Sequence, residues 1–244
     1  YIVVPGATGN VSFSGALNNG DQSIALTRPN ANTSYKGFNL VGNPYPSFLN
    51  AATFLSENSA SVDNNIWYRT HTGTDYQFQT YNSISNVSVP KASNGSYIPP
   101  MQAFWVRAKA NNVNLNFTNA MRKHNDSTDV IIKLRAPKAP VADRQYVRLQ
   151  VNNATLNDEL LLYSDANASN GYDAYDAPKM MNTSSNSPAI NLYTTVGSEN
   201  LVIDGRNTLP LDVIIPVTFT TNAYASGSYS ISANELTNLP SGVT

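Results

Sequence analysis

The chain has 244 residues, of which 41% are hydrophobic and only 13% are charged, and its formal net charge is −1. This length is sufficient for one large domain or two ordinary ones, and a nearly neutral chain gives no electrostatic reason to expect nucleic acid as a partner. The absence of cysteine excludes disulfides and thiolate chemistry, and no apolar run is long enough for membrane insertion.

The first half of the chain predicts short strands separated by turns. Residues 11–15 alternate apolar and polar side chains, which is the period of a half-buried strand. Residues 18–21 (Asn-Asn-Gly-Asp) are typical of a hairpin turn, because Asn and Gly tolerate positive φ. The predicted strands of this half are 1–4, 11–15, 23–27, 38–41, 66–69, 76–81, 103–108 and 113–117.

Residues 37–47, with the sequence GFNLVGNPYPS, form a distinctive stretch that we call the signature stretch. Its apolar run, residues 38–41, predicts a buried strand with Leu40 in the core. The strand ends at the Asn-Pro-Tyr-Pro segment, because proline cannot donate to a sheet and holds its predecessor extended. Ser47 is then expected to cap a short helix over residues 48–55.

The second half of the chain predicts a separate set of strands. Residues 123–129 are polar and aperiodic, so we interpret them as a linker between domains at 1–122 and 130–244. Frequent turns predict an all-β fold of two tandem β-sandwich-like domains, the first with one short helix. The predicted strands of the second domain are 130–134, 145–151, 160–163, 190–194, 201–204, 212–219 and 228–232.

The end of the sequence predicts an unfinished sheet. Residues 239–242 form a turn signal, and Val243 begins what resembles another strand. We therefore expect the second domain to lack its last strand within this sequence. An edge left open in this way exposes unpaired backbone groups and favours a strand-donating partner.

Residues 165–176 (DANASNGYDAYD) form an acidic loop in the second half. Asp165, Asn167, Asp173 and Asp176 concentrate the hard oxygen ligands that calcium requires, so calcium is the candidate cofactor. The spacing differs from that of an EF-hand loop. The alternative is a solvated loop in which the Asp side chains cap backbone amides.

Aromatic side chains are concentrated in the first half. Because alternate residues of a strand face opposite sides, about half of them must lie in the core. We expect Trp67, Tyr76 and Tyr81 to be exposed and to offer a stacking platform for a sugar or peptide ligand. The aromatic residues expected in the core are Phe78, Phe104 and Trp105.

The sequence shows no catalytic motif, so we expect the protein not to be an enzyme. Its two histidines, His71 and His124, have no nucleophile in a recognisable setting, and no metalloprotease, phosphate-loop or dinucleotide motif occurs. A hydrolase remains an alternative, because carboxylate pairs are spatial rather than sequential. The glutamates of the chain are Glu57, Glu159, Glu199 and Glu235.

Four motifs together resemble those of a known family. The signature stretch is similar to the GWNLIGNPYPS motif of large secreted and surface proteins of Bacteroidetes. Those proteins continue with a YxxYN hairpin, which residues 76–82 (YQFQTYN) resemble, and with a strand of pattern IxPxQxFxV, which residues 98–106 match. Residues 170–180 resemble the family motif NGYDxxYDAxKL, with one residue fewer between the two acids and with Pro178 inside the motif.

The resemblance implies an adhesin-like protein that is exported by type IX secretion and located at the cell surface or in the extracellular space. Expected partners are other surface proteins or glycans. An alternative is a carbohydrate-binding module of a secreted enzyme that acts on polysaccharides. Residues 126–128 (Asp-Ser-Thr) resemble the O-glycosylation acceptor of Bacteroidetes, so Ser127 is the candidate glycosylation site, with a simple turn as the alternative.

Overall fold

Short strands and one α-helix make up the described part of this computed structural model, which comprises residues 14–29, 35–72, 75–91, 97–123 and 143–240. The predicted all-β fold class is confirmed. None of the described helices is long and apolar enough to cross a membrane. The predictions that lie outside the described residues concern strands 1–4 and 130–134, most of strand 11–15, linker residues 124–129, His124, Ser127 and Val243.

The first half contains ten described strands and helix α1, Ala51–Glu57. One sheet has the strand order β2-β8-β4-β5-β6, a second has the order β10-β3-β7, and β1 pairs with β9. The hairpin predicted around residue 73 is confirmed as β4 and β5. The strands are β1 Gln22–Leu26, β2 Phe38–Gly42, β3 Phe48–Asn50, β4 Asn65–Thr72, β5 Asp75–Asn82, β6 Val87–Val89, β7 Tyr97–Ile98, β8 Ala103–Arg107, β9 Val113–Phe117 and β10 Arg122–Lys123.

Helix α1 begins later than the sequence indicates. The predicted cap, Ser47, is wrong, because Phe48–Asn50 form strand β3, which pairs with β7 and β10. Asn50 is the N-cap, and its side-chain oxygen accepts a hydrogen bond from Thr53 N at 3.0 Å. Asn is among the best N-cap residues, and its position after an extended segment explains the later start.

Strand β2 places neighbouring side chains on opposite faces. Val41 is buried in the core of the first half, whereas Leu40 is 38% exposed. The prediction that Leu40 lies in the core is therefore wrong, because the strand is buried on one face rather than on both. Phe104 is fully buried as expected, and Trp105 is only partly buried.

The described strands of the second half all belong to one mixed sheet. Its order is β16-β14-β15-β12-β11-β17, and β13 also pairs with β15. Strands β12 and β15 are parallel, and the chain leaves β12 directly into the acidic loop. The strands are β11 Tyr146–Asn152, β12 Asn157–Ser164, β13 Ala177–Pro178, β14 Ile190–Val196, β15 Glu199–Arg206, β16 Val217–Thr221 and β17 Ser230–Thr237.

The two halves share a buried cluster. Val87 and Val89 of β6 pack with apolar residues of the second sheet, among them Leu161, Tyr163 and Ile203. Strand β6 is thus hydrogen-bonded to the first sheet and packed on the second. The division into domains at 1–122 and 130–244 stays a prediction, because residues 124–142 lie outside the described part.

Candidate ligand-binding groove

The predicted aromatic platform does not form as expected. Trp67 is fully buried and Tyr81 is 3% exposed, so their predicted exposure is wrong. The indole Nε1 of Trp67 donates to the carbonyl of Pro178 at 3.1 Å, and burial raises the pKa of Tyr81 to about 12. The backbone of Tyr76 lies in β5, but its side chain is outside the described part.

The acidic loop uses its carboxylates internally. Asp165 pairs with Arg144 and accepts from Asn167 N at 3.0 Å. Burial opposes ionisation of Asp165, but these partners outweigh it and lower its pKa. Asp173 accepts from Ser169 N at 2.6 Å and from Tyr175 N at 2.8 Å. Both carboxylates therefore hold the backbone of their own loop.

Asp176 is the most deeply buried carboxylate of this loop. Its two oxygens accept from Asp173 N and Gly205 N, both at 2.8 Å. Burial is the main cause that raises its pKa to about 7, and the nearby Asp204 acts in the same direction. Gly205 also leaves room for Tyr163, since a Cβ at this position would lie 2.7 Å from the Tyr163 hydroxyl.

The acidic loop also binds the first half through its backbone. Asn82 Nδ2 donates to Ala174 O at 3.0 Å, and Asn65 Nδ2 donates to Asp176 O at 2.9 Å. Both asparagines are buried. Together with the Trp67–Pro178 bond, these contacts make the loop part of the junction between the two halves.

Calcium binding by Asp165, Asn167, Asp173 and Asp176 stays a prediction. Among the described residues no group of three or more His, Cys, Asp or Glu is arranged to hold a metal ion. The carboxylate oxygens of the loop already accept backbone hydrogen bonds, so a calcium ion would have to displace them.

Two of the four glutamates share one arginine. Arg148 Nη1 lies 2.5 Å from Glu159 Oε1, and its Nε lies 3.0 Å from Glu235 Oε2. Lys91 Nζ binds the other oxygen of Glu235 at 2.6 Å. Because cations occupy both carboxylates inside the junction, this pair serves as a structural ion network.

Two adjoining polar depressions lie at the surface of the first half, and we call them together the groove. Residues 19–23 line one side, which we call the first wall, and residues 116–123 line the other, which we call the second wall. The walls meet at the Gln22–Phe117 end of the β1–β9 pair, and beyond it Arg122 donates to Asn19. The first depression, of about 390 Å³, is lined by Asn19, Ser47, Asn119, Arg122 and Lys123. The second, of about 290 Å³, is lined by Asp21, Gln22, Ser23, Glu57, Asn116 and Thr118.

The signature stretch supports this groove. Asn43 is buried, and its Nδ2 lies 2.8 Å from Ser47 O and 2.9 Å from Pro99 O, while its Oδ1 accepts from Tyr45 N. These bonds fix the turn that presents the Ser47 hydroxyl. Asn18, an exposed residue that directly precedes residues 19–23, donates to Pro44 O at 2.9 Å and joins this side of the groove to the turn.

Tyr45 connects the two walls of the groove from below. Its hydroxyl shares one proton between Gly20 O at 2.8 Å and Phe117 O at 2.9 Å. Burial is the main cause that raises the pKa of Tyr45, with Asp21 adding to the effect and Arg122 opposing it. The hydroxyl therefore remains a donor at neutral pH and keeps the spacing of the walls constant.

These groove residues were not predicted, because they converge from separate segments of the chain. Arg122 follows the 3-10 turn Asn119–Met121, and Glu57 ends α1. The one sequence signal for the groove was the signature stretch, because its turn contains more residues than are needed to end a strand. The Nδ2 groups of Asn19, Asn116 and Asn119 donate to no described residue, so the groove offers hydrogen-bond donors to the hydroxyls of a polar ligand.

Comparison with known proteins identifies a family but no characterised relative. No curated protein matches the chain, and no solved structure matches it. A family model described as a domain of unknown function, DUF8693, matches residues 4–241. Because this match covers nearly the whole sequence, the chain belongs to the DUF8693 family.

Proposed function

We propose that this chain is a non-catalytic module of a secreted or surface-exposed bacterial protein, located outside the outer membrane, that serves adhesion or structural presentation by binding glycans. The observation that carries the proposal is the groove, an accessible polar surface built on the signature stretch. The resemblance of the sequence motifs to those of adhesin-like proteins of Bacteroidetes supports the same role. Other surface proteins remain the second class of partner.

The chemistry of the groove favours a polyhydroxylated ligand. A sugar hydroxyl is both a donor and an acceptor, and so are amide and hydroxyl side chains as a group. Asn19, Asn116 and Asn119 are exposed, and Ser47 and Thr118 are partly exposed. The walls are held by buried bonds, which reduces the ordering cost of binding.

Screening on a glycan array, followed by calorimetric titration of the best ligand, tests this proposal. We expect Asn116→Ala to weaken binding about three- to tenfold, as the loss of one net hydrogen bond predicts. Asn170→Ala, a change of an exposed asparagine in the acidic loop, serves as the matched control and should leave affinity unchanged. Equal affinity of the two variants would exclude the groove as the binding site.

A hydrolase is the second candidate function, and one observation favours it. Asp21 and Glu57 line the same depression, and a glycosidase uses a pair of carboxyl groups in one cleft. Both side chains are exposed, however, whereas a glycosidase general acid commonly sits in an apolar pocket. Release of reducing sugar from the array ligands, abolished by Glu57→Gln, would establish the hydrolase and overturn the non-catalytic proposal.

A strand-donating partner is a further proposal, and strand β17 supports it. Among the described strands β17 pairs only with β11, so its outer edge is unpaired there. Ile231 and Leu236 on this strand are exposed. Peptides that pair with β17 should protect its amides from hydrogen exchange, and unchanged exchange at β17 in a native assembly would contradict the proposal.

O-glycosylation of Ser127 also remains a proposal, based on the Asp-Ser-Thr resemblance. Ser127 lies outside the described residues, so the sequence alone supports it. Mass analysis of the protein from its native host should find residues 125–133 modified. An unmodified peptide would remove the proposal.

A further inference from the structure

We infer that the Arg122 end of the groove binds the carboxylate of an acidic sugar, which deepens the glycan-binding proposal above and rests on it. The inference concerns the depression of about 390 Å³, which lies within the size range of small-molecule sites. Its lining combines two cations with neutral amide and hydroxyl groups and contains no carboxylate.

Arg122 is held in place by neutral partners. Its Nε donates to Ser47 Oγ at 2.9 Å, and its Nη1 lies 3.1 Å from Asn19 Oδ1 and 3.0 Å from Asn119 Oδ1. The guanidinium carbon lies 5.1 Å from the centre of the Tyr45 ring. A guanidinium fixed in this way loses little further freedom when it binds a ligand.

The two cations of this depression, Arg122 and Lys123, have no described carboxylate within ion-pair distance. Nη2 of Arg122 likewise makes no hydrogen bond to a described residue. The Nη2 group can donate to a carboxylate, and charge-assisted hydrogen bonds of this kind are about twice as strong as neutral ones.

The neighbouring depression limits which acidic glycans fit. Asp21 and Glu57 line it, so a second carboxylate placed there would meet like charge. The favoured ligand therefore carries one acidic sugar, over Arg122, followed by neutral sugars over Asp21 and Glu57. A uniformly charged polyuronate would be bound less well, because only one of its residues can meet Arg122.

Paired glycans test this inference. Each glycan of a panel that carries one uronic or sialic acid is immobilised in its native form and in a form whose carboxyl group has been reduced to the alcohol. We expect the native form to bind about tenfold more tightly or better. Arg122→Gln should bring this ratio close to one, because the ratio compares a charged and a neutral ligand on the same variant, while Arg122→Lys should retain part of the preference.

Lys109→Gln, which removes the same charge from an exposed site outside the groove, should keep the full preference. Equal binding of native and reduced forms overturns the acidic-sugar inference but leaves glycan binding intact. Binding of neither form overturns both. Tighter binding of a short acidic peptide than of any glycan overturns the ligand class, and a preference that survives Arg122→Gln overturns the site.

Discussion

The signature stretch and the acidic loop are both polar, turn-rich segments, yet they use their polar groups in opposite ways. In the acidic loop, Asp165, Asp173 and Asp176 accept hydrogen bonds from backbone amides and an ion pair from Arg144. In the signature stretch, buried Asn43 satisfies the local backbone, and the hydroxyl of Ser47 faces the groove.

This difference shows what makes a polar cluster available to a ligand. Oxygen atoms that already bind their own chain must give up those bonds before they can bind an ion, and the buried groups left behind would lack partners. In the groove, the oxygens of Ser47, Asn19 and Asn119 accept hydrogen bonds from Arg122. The Nδ2 groups of the two asparagines donate to no described residue, so a ligand can bind them without displacing a bond. The hydrogen-bond partners of a cluster, and not its composition, decide which case applies.

Substitution of Trp67, whose indole is bonded to Pro178 just after the acidic loop, should cause the largest loss of stability. Trp67→Ala is expected to cost about 3–5 kcal/mol, because the side chain is fully buried and bonded to Pro178 O. Trp67→Phe keeps most of the ring volume and should cost less. Denaturant unfolding measures both changes, and a loss below about 1 kcal/mol for Trp67→Ala would place the side chain outside the junction.

Asp176 should make stability depend on pH. Its folded-state pKa is raised to about 7 by burial, whereas an unfolded aspartate titrates near 4. Between these values the folded state binds more protons, so stability should rise as pH falls from 7 towards 4. Asp63 and Glu159, whose pKa values burial also raises, add a slope of the same sign.

Asp176→Asn isolates the contribution of this one carboxyl group. The variant keeps a side chain of the same shape, so its stability curve should be flatter than that of the parent protein over this pH window. Identical slopes for the two proteins would show that Asp176 is ionised in the folded state.

In contrast to the changes at Trp67 and Asp176, a change in the support of the groove should affect ligand binding more than stability. Tyr45→Phe removes the hydroxyl that joins the two walls and should cost about 1 kcal/mol of stability. Tyr45→Phe should weaken glycan binding more than Asn116→Ala does, because both walls of the groove move in the Tyr45 variant. Unchanged affinity would show that the walls do not need Tyr45.

Calcium should produce the smallest effect. A ligand that binds only the folded state raises the melting temperature with ln(1 + [Ca²⁺]/Kd). Because the loop carboxylates already bind backbone amides and Arg144, we expect millimolar calcium to raise the melting temperature only slightly above its value in excess chelator. A rise of several degrees would show that the loop rearranges into a true ion site.

The sequence predicted the all-β fold and many of its strands, because alternation and turn residues are local signals. It failed where burial is decided by distant partners. Leu40 and Val41 are equivalent in an apolar run, and only the packing of the sheet exposes the first and buries the second. Trp67 likewise appeared suited to a ligand, and its actual partner, Pro178, lies 111 residues away.

The candidate site was predictable only through the signature stretch. The prolines of that segment predict where its strand ends, whereas its structural role depends on Asn43 and Tyr45, whose bonds reach Pro99 O and Phe117 O. Arg122 and Glu57 are not part of any local sequence motif, because each is a single polar residue at the end of a different secondary-structure element. Side chains that the fold brings together from separate segments have no characteristic spacing in the sequence, so no motif reveals them.

The buried cluster of Val87 and Val89 with the second sheet has a consequence for how the protein unfolds. Strand β6 belongs to one sheet by hydrogen bonding and to the other by packing, so neither half can open without exposing part of the core of the other. Calorimetric melting should therefore show one cooperative transition. The amides of β6 should exchange no faster than those in the centre of either sheet.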